Sequence, residues 1–281
     1  MLPDSLAVLG LGATGASAAW AARTAGVPRV LGWAASRADA TSALRVGAVD
    51  DLADRADRAV AGAAVVLVAD TPGGIDQVLR RVAGSLRPEA LLLLVSEVHG
   101  AALATAGTLG RADCAAAIDP MGESPGAGFS GAGPDRFRGR LTYVSSIDTD
   151  AGHQAARNAM SFVEEVLGGA PVLIDPARHD EQVAWTRQLP GAALAVICHL
   201  LDGRRLGGVT WDAAARSARA GVPADAEVAA DVLLADRRAV AMALAALGAE
   251  VEVLRKLVEG GDLDGVRAFL EGAAKFRPGP S

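Results

Sequence analysis

The sequence is poor in cysteine: only Cys114 and Cys198 occur among its 281 residues. The two form no CxxC pair and have no metal-ligand spacing, which excludes a disulfide framework and a cysteine zinc site. We therefore expect a reduced, cytoplasmic protein without a bound metal.

Basic charge and long apolar runs are also scarce. Lysine is almost absent, the net charge is −6 and the pI is about 5.3, which argues against a nucleic-acid partner, since such proteins present a basic patch. The start, MLPDSLAVLG, has no basic segment before its apolar run, so we expect no secretion signal. The apolar run at 90–95 is too short to cross a membrane.

The composition is that of a folded protein with a large core. Hydrophobic residues make up 51% of the chain and charged residues 21%, so disorder is not expected. The length is long for one domain and comfortable for two.

The first half of the chain alternates short apolar segments with helical segments. Predicted strands lie at 5–9, 29–33, 63–69 and 90–95. Strands that are apolar throughout are typical of a parallel sheet covered on both faces. We predict an α/β Rossmann domain over residues 1–175, ending in a strand at 141–146, a helix at 151–167 and a strand at 171–174.

The second half has a helical pattern with few β-branched residues. Residues 239–260 form a long amphipathic segment with apolar positions at helical spacing. We predict an all-α dimerisation domain at 176–281, and hence a homodimer. The alternative is a helical cap on a monomer.

A glycine-rich turn follows the first strand and opens the first helix. It reads Gly10-Leu11-Gly12-Ala13-Thr14-Gly15, a GxGxxG in the context of a dinucleotide site. The first glycine allows the tight turn, the second the approach of a pyrophosphate, and the third close packing of helix and strand. The alternative is a strand–turn–helix without a ligand.

The end of the second predicted strand bears on the choice of cofactor. NAD-binding proteins usually have an acid there, about 20 residues after the turn, for the ribose 2′-hydroxyl. Residues 33–35 contain no carboxylate, and Ser36 and Arg37 follow directly. Because a serine and an arginine would bind a 2′-phosphate, we predict NADP in preference to NAD. The alternative is that Arg37 is an ordinary solvated residue.

Several segments occur together in an order that resembles the prephenate/arogenate dehydrogenase family, over nearly the whole chain. They are GLGATG (10–15), VVLVADTP (65–72), RPEALLLLVSEVHGA (87–101), Asp119-Pro120-Met121-Gly122, DRFRGR (135–140), Asp175-Pro176 with His179-Asp180, Gln188-Leu189-Pro190 and the tail from Asp231 to Asp262. The resemblance implies a Rossmann domain plus a helical dimerisation domain, and oxidative decarboxylation of a cyclohexadiene to an aromatic ring. Thr71 falls in the implied cofactor site and Ser124 in the implied substrate site.

The sequence departs from this family at three polar positions. The serine of the family's Gly-Ser-Val-Lys segment is Glu97, and the histidine of its His-Pro-Met loop is Asp119. The histidine before Leu-Pro, which the family uses to polarise the ring hydroxyl, is Gln188. We assign Glu97, Asp119 and Gln188 to the catalytic site. Arg216 is the implied anchor for a substrate carboxylate, with Arg219 or Arg187 as substitutes.

The two new acids suggest a changed substrate. Buried carboxylates are costly unless they meet a cation, and an amine on the ring would provide one. A nitrogen lone pair also assists hydride loss, and a carboxylate can take the ammonium proton. The prediction is an NADP-dependent dehydrogenase acting on 4-amino-4-deoxyprephenate to give 4-aminophenylpyruvate.

Three alternatives remain open. One is a prephenate or arogenate dehydrogenase of tyrosine biosynthesis with a rebuilt site. Another is a reductase of the imine or hydroxyacid type, and the last is a cofactor-binding pseudoenzyme or sensor. Among the histidines, His153 and His179 are expected at the surface, His99 near the cofactor edge without a role as a base, and His199 in the core or an interface.

Overall fold

A computed structural model describes residues 2–121, 128–203, 217 and 219–275 of the chain. Ser124 and Arg216, both assigned to the substrate site from the sequence, lie outside these residues, and so does Gly122.

The described residues form one eight-stranded sheet with the order β3-β2-β1-β4-β5-β6-β7-β8. Strand β7 is antiparallel to β6, and the other neighbouring pairs are parallel. The strands are β1 (Leu6–Leu9), β2 (Val30–Trp33), β3 (Asp51–Leu52), β4 (Val65–Ala69), β5 (Leu91–Val95), β6 (Ala115–Pro120), β7 (Leu141–Ser145) and β8 (Ala170–Leu173). The predicted Rossmann fold is confirmed.

Helices cover both faces of this sheet. They are α1 (Ala13–Ala25), α2 (Arg37–Arg45), α3 (Ala56–Val60), α4 (Pro72–Val82), α5 (His99–Thr108) and α6 (Asp150–Phe162), the last continuing as a π-helical turn over Val163–Leu167. The central strands are buried on both sides, so their residues divide between two apolar clusters, one on each face. Continuous apolar strands therefore follow from this two-sided burial.

The remaining described helices are α7 (Pro176–Val183), α8 (Leu189–Gly203), α9 (Ala226–Ala235), α10 (Arg237–Glu259) and α11 (Leu263–Ala274), with a π-helical stretch over Ala184–Gln188. The helical character predicted for this half is confirmed. Within the described residues, no helix is long and apolar enough to cross a membrane.

The chain divides into two compact units. The first contains residues 1–183 and 225–236, so that α9 belongs with the sheet and packs on α4. The second contains residues 184–224 and 237–281. The domain boundary at residue 175, in the sense of separately folding domains, stays a prediction.

The sequence-based prediction missed strands β3 and β6 and helices α3 and α5 of the sheet unit. The β6 residues Ala115–Pro120 are mostly alanine, a residue that favours helices and is depleted in strands. Pairing with β5 on one side and β7 on the other overrides this local preference. Strand β6 and helix α5 matter most here because they carry Asp119 and His99.

Candidate functional site

The glycine-rich turn lies where the carboxyl end of β1 meets β4. Gly10 has φ of 91°, and a Cβ there would lie 2.1 Å from the carbonyl oxygen of Ala69. A Cβ on Gly15 would lie 1.9 Å from the carbonyl oxygen of Gly10. The positive φ and both close approaches require glycine, which agrees with the roles expected for these residues.

The N-terminus of α1 fits the phosphates of a dinucleotide. The helix begins at Ala13 with Thr14 in its first turn, and its N-cap residue, Gly12, makes no side-chain cap. No side chain of the described residues caps these first-turn N–H groups, so together with the positive end of the helix dipole they suit an anion. The residues present fit a nicotinamide dinucleotide at this turn, and the backbone of Gly128 lies beside it.

The residues predicted to select NADP lie at the start of α2. The Ser36 hydroxyl oxygen accepts the N–H of Asp39 at 3.2 Å and caps the helix, and Ser36 and Arg37 are both exposed. The Asp39 carboxylate accepts the N–H of Phe129 at 2.9 Å. The first carboxylate after β2 is thus bonded to the backbone of the loop that follows β6.

Thr71 lies at the carboxyl end of β4 and caps α4. Its hydroxyl oxygen accepts the N–H of Gly74 at 3.2 Å. Beside it, the Asp231 carboxylate on α9 accepts the N–H of Gly73 at 2.8 Å. The pKa of Asp70 is raised, first by partial burial and also by the nearby charge of Asp231. No local pattern in the sequence predicts that Asp231 reaches this turn.

A buried cluster of charged groups forms at the carboxyl end of β6. Asp119 is 4% exposed and His179 is fully buried. One ring nitrogen of His179, Nε2, lies 3.3 Å from Asp119 Oδ2, and the other, Nδ1, lies 3.0 Å from Asp180 Oδ1. The imidazole therefore bridges two carboxylates.

The cluster continues into the N-terminus of α5 through Asp180. Its carboxylate accepts the N–H of His99 at 2.7 Å and the N–H of Gly100 at 2.8 Å. The His99 ring stacks on the His179 ring with centroids 3.5 Å apart. His99 Nδ1 lies 2.7 Å from Ser145 Oγ. Helix α7 is thus bonded directly to the turn that follows β5.

The electrostatics of the cluster favour a charged His179. Burial disfavours the charge, but the hydrogen bonds and negative charges of Asp119 and Asp180 outweigh it, so the pKa of His179 is raised above its usual value. An imidazolium here leaves the cluster of Asp119, His179 and Asp180 with one net negative charge.

Two further residues assigned to catalysis lie in different parts of the chain. Glu97 is the second residue after β5 and is half-buried, two residues from His99. Gln188 belongs to the second compact unit, where it is 6% exposed. Within the described residues, neither amide atom of Gln188 has a hydrogen-bond partner.

The expectation that His179 lies at the surface is wrong. Sequence reasoning missed it because His-Asp at the start of a predicted helix is typical of a solvated first turn. His153 is exposed as expected, with its ring 3.2 Å from the Asp148 carboxylate. His199 is exposed on the isolated chain, so its place in an interface stays a prediction.

The sheet order, the glycine turn and the helices that follow define a class of protein, that of Rossmann folds with a helical second part. No protein-family profile matches the sequence. No curated protein sequence matches it either. Solved structures do match it over nearly the whole chain.

Within this class, the chain is similar to prephenate and arogenate dehydrogenases. Prephenate dehydrogenase from A. aeolicus, solved with hydroxyphenyl propionate and NAD+, has a TM-score of 0.88 at 15% identity, covering 98% of this chain and 96% of that one. Arogenate dehydrogenase from Synechocystis has a TM-score of 0.78 at 20% identity, covering 96% and 97%. The resemblance inferred from the sequence is confirmed at the level of the fold.

A hydroxyacid dehydrogenase provides a contrast. The Mycobacterium tuberculosis 3-hydroxyisobutyrate dehydrogenase has a TM-score of 0.54 at 18% identity, covering 98% of this chain and 95% of that one. By TM-score, the fold is therefore more similar to the prephenate and arogenate enzymes than to this hydroxyacid dehydrogenase.

Proposed function

We propose that this protein is an NADP-dependent, cytoplasmic dehydrogenase that oxidatively decarboxylates a prephenate-type cyclohexadiene. One observation carries the proposal: a buried acid–imidazole–acid cluster joins the end of β6 to the start of α5 in a Rossmann fold. The glycine turn would hold the dinucleotide. A bound nicotinamide supplies the hydride acceptor, and loss of hydride and CO₂ from opposite ring carbons makes the ring aromatic.

For the substrate we propose an amine on the ring carbon that loses hydride, as in 4-amino-4-deoxyprephenate. Asp119 and Glu97 are acids, and the cluster around His179 keeps one net negative charge when its ring is protonated. An ammonium group is a counter-ion for that charge, whereas a hydroxyl is not. Transfer of the ammonium proton to Asp119 or Glu97 leaves the nitrogen lone pair to assist hydride loss.

A second candidate is a prephenate or arogenate dehydrogenase, and His179 favours it. From the sequence alone, Asp119 was expected to need a cation from the substrate, but the His179 ring, whose pKa is raised, lies 3.3 Å from its carboxylate. An ionised Asp119 could then accept the proton of a ring hydroxyl instead.

Turnover separates these candidates. We expect the wild-type protein to reduce NADP faster with 4-amino-4-deoxyprephenate than with prephenate or arogenate, followed by NADPH absorbance. Glu97→Gln and Asp119→Asn should each lower kcat by about 10²–10⁴-fold. The control is Glu164→Gln, at an exposed position in the π-helical turn that follows α6.

Faster turnover of prephenate or arogenate would support the second candidate. Binding of the cofactor without turnover of any of the three substrates would support a cofactor-binding sensor or a reductase of the imine or hydroxyacid type.

The NADP preference is tested by titration calorimetry with both cofactors. Arg37→Ala removes a charge-assisted hydrogen bond to the 2′-phosphate, about 1.5–3 kcal/mol, so the Kd for NADP should rise about tenfold or more. The Kd for NAD should be unchanged. Arg45→Ala, in the last turn of the same helix, is the matched control. Tighter NAD binding by the wild-type protein would contradict the proposal.

We also propose a homodimer formed by the helices of the second unit. Their described surface exposes many large apolar side chains: Val196, Ile197, Leu200, Met242, Leu244, Val251, Val253, Val258, Leu263 and Leu270. Exposed apolar area of this extent is typical of an interface.

A further inference from the structure

His179 is enclosed by groups from four elements of the sheet unit. Asp119 on β6 and Asp180 on α7 contact its two ring nitrogens. The His99 ring of α5 stacks on one face, and the Tyr143 ring of β7 meets it edge-on with centroids 5.6 Å apart. All four of these residues are titratable, and each faces the His179 ring.

The hydrogen bonds fix the number of protons on the ring. A neutral imidazole has one N–H and one acceptor nitrogen, whereas an imidazolium donates from both. Both partners of His179 are carboxylates, which only accept when ionised. With both carboxylates ionised, two donated hydrogen bonds, to Asp119 and to Asp180, require an imidazolium.

The stacked ring of His99 has the opposite protonation. The Ser145 hydroxyl donates its single proton to the carbonyl oxygen of Ile174 at 2.8 Å, so it accepts from His99, and Nδ1 of His99 carries the proton. A second proton on His99 would place two positive rings 3.5 Å apart in a buried position. His99 is therefore neutral, with the lone pair on Nε2.

We propose that His179 is a positioning residue: a lasting imidazolium that holds Asp119 ionised and oriented at the end of β6 and keeps His99 neutral beside it. His179 acts through Asp119. The inference rests on the proposed function because that function assigns Asp119 to catalysis. The hydrogen bond from His179 orients the Asp119 carboxylate, and the charge of the ring stabilises its ionised form. Neither effect requires the substrate. Asp180 completes it by anchoring the ring to the first turn of α5.

Nuclear magnetic resonance tests the protonation without any substrate. The chain has four histidines, so ¹⁵N-histidine labelling gives few signals, which substitutions of the exposed His153 and His199 help to assign. At pH 7.5 we expect both nitrogens of His179 to carry protons and His99 to be protonated at Nδ1 only. A neutral His179 ring at this pH would overturn the proposal.

The functional role is tested with His179→Gln, which retains an amide donor but no charge. Removing the cation beside Asp119 should move the acidic limb of the kcat–pH profile upward by about one pH unit or more, with KM for NADP changed less than about twofold. His153→Gln is the matched control, because it removes a histidine paired with an acid at the surface. An equal loss of kcat at every pH would show a structural role only and overturn the proposal.

The two tests separate this inference from the proposed function. If none of the substrates is turned over, the proposed function fails, and the resonance spectra alone decide whether His179 is the imidazolium. If His179→Gln does not fold, the spectra of the wild-type protein still decide the same point.

Discussion

Replacing Asp180 by asparagine should strongly destabilise the sheet unit. The Asp180 carboxylate accepts two backbone N–H groups from the first turn of α5 and one ring nitrogen of His179. The N-cap residue of α5, Val98, makes no side-chain cap of its own. Asp180 is thus the cap of a helix that begins 81 residues earlier in the chain.

The magnitude follows from these contacts. An amide of the same shape keeps one acceptor oxygen and turns an NH₂ group toward at least one buried donor. Loss of a hydrogen bond to a charged group costs about 1.5–3 kcal/mol, and removing one partner of a buried ion pair costs about 3–5 kcal/mol. Because the two effects share the same group they do not add, and we expect a loss of about 3 kcal/mol in the free energy of unfolding.

The assay is urea unfolding followed by circular dichroism at pH 7. Asp175→Asn is the matched control: Asp175 is exposed and accepts one N–H, that of Arg178 at 3.0 Å. Asparagine caps helices as well as aspartate does, so this variant should change stability by less than about 0.5 kcal/mol. An equally small effect of Asp180→Asn would refute the reasoning, because it would mean that the buried carboxylate is not required.

Three further predictions concern pH, the glycine turn and assembly. Because the folded-state pKa of His179 is raised, its stabilising effect is fully present below the unfolded-state pKa and is lost as pH rises through the folded-state pKa. The free-energy difference between the wild-type protein and His179→Gln should therefore shrink on the alkaline side, and a constant difference would contradict this. Gly15→Ala should lower the melting temperature and abolish dinucleotide binding, since its Cβ meets the carbonyl oxygen of Gly10 at 1.9 Å, whereas Gly272→Ala, with open space around it, should leave both unchanged. Light scattering at micromolar concentration should give about twice the chain mass of 28.3 kDa, and a monomer would contradict the proposed dimer.

The sequence by itself determined the central strands and the glycine turn of the sheet unit. Continuous apolar segments predict β1, β4 and β5 because strands buried on both faces need an apolar residue at every position. The glycine turn could be read directly, since the positive φ of Gly10 and the close packing of Gly15 are requirements that only glycine meets. These are local signals, carried by residues within a few positions of one another.

Only the tertiary structure decided the partners of the acids. Asp119 and His179 are 60 residues apart, and His99 and Asp180 are 81 apart, so no periodicity or spacing relates them. Strand β6 could not be predicted from its alanine-rich sequence, because it is pairing with β5 and β7 that makes this segment a strand. The sequence pointed to Asp119 as an unusual acid, but its counter-ion comes from helix α7. A charge is stabilised by whatever the fold brings within hydrogen-bond distance, and this depends on the packing of the whole sheet unit.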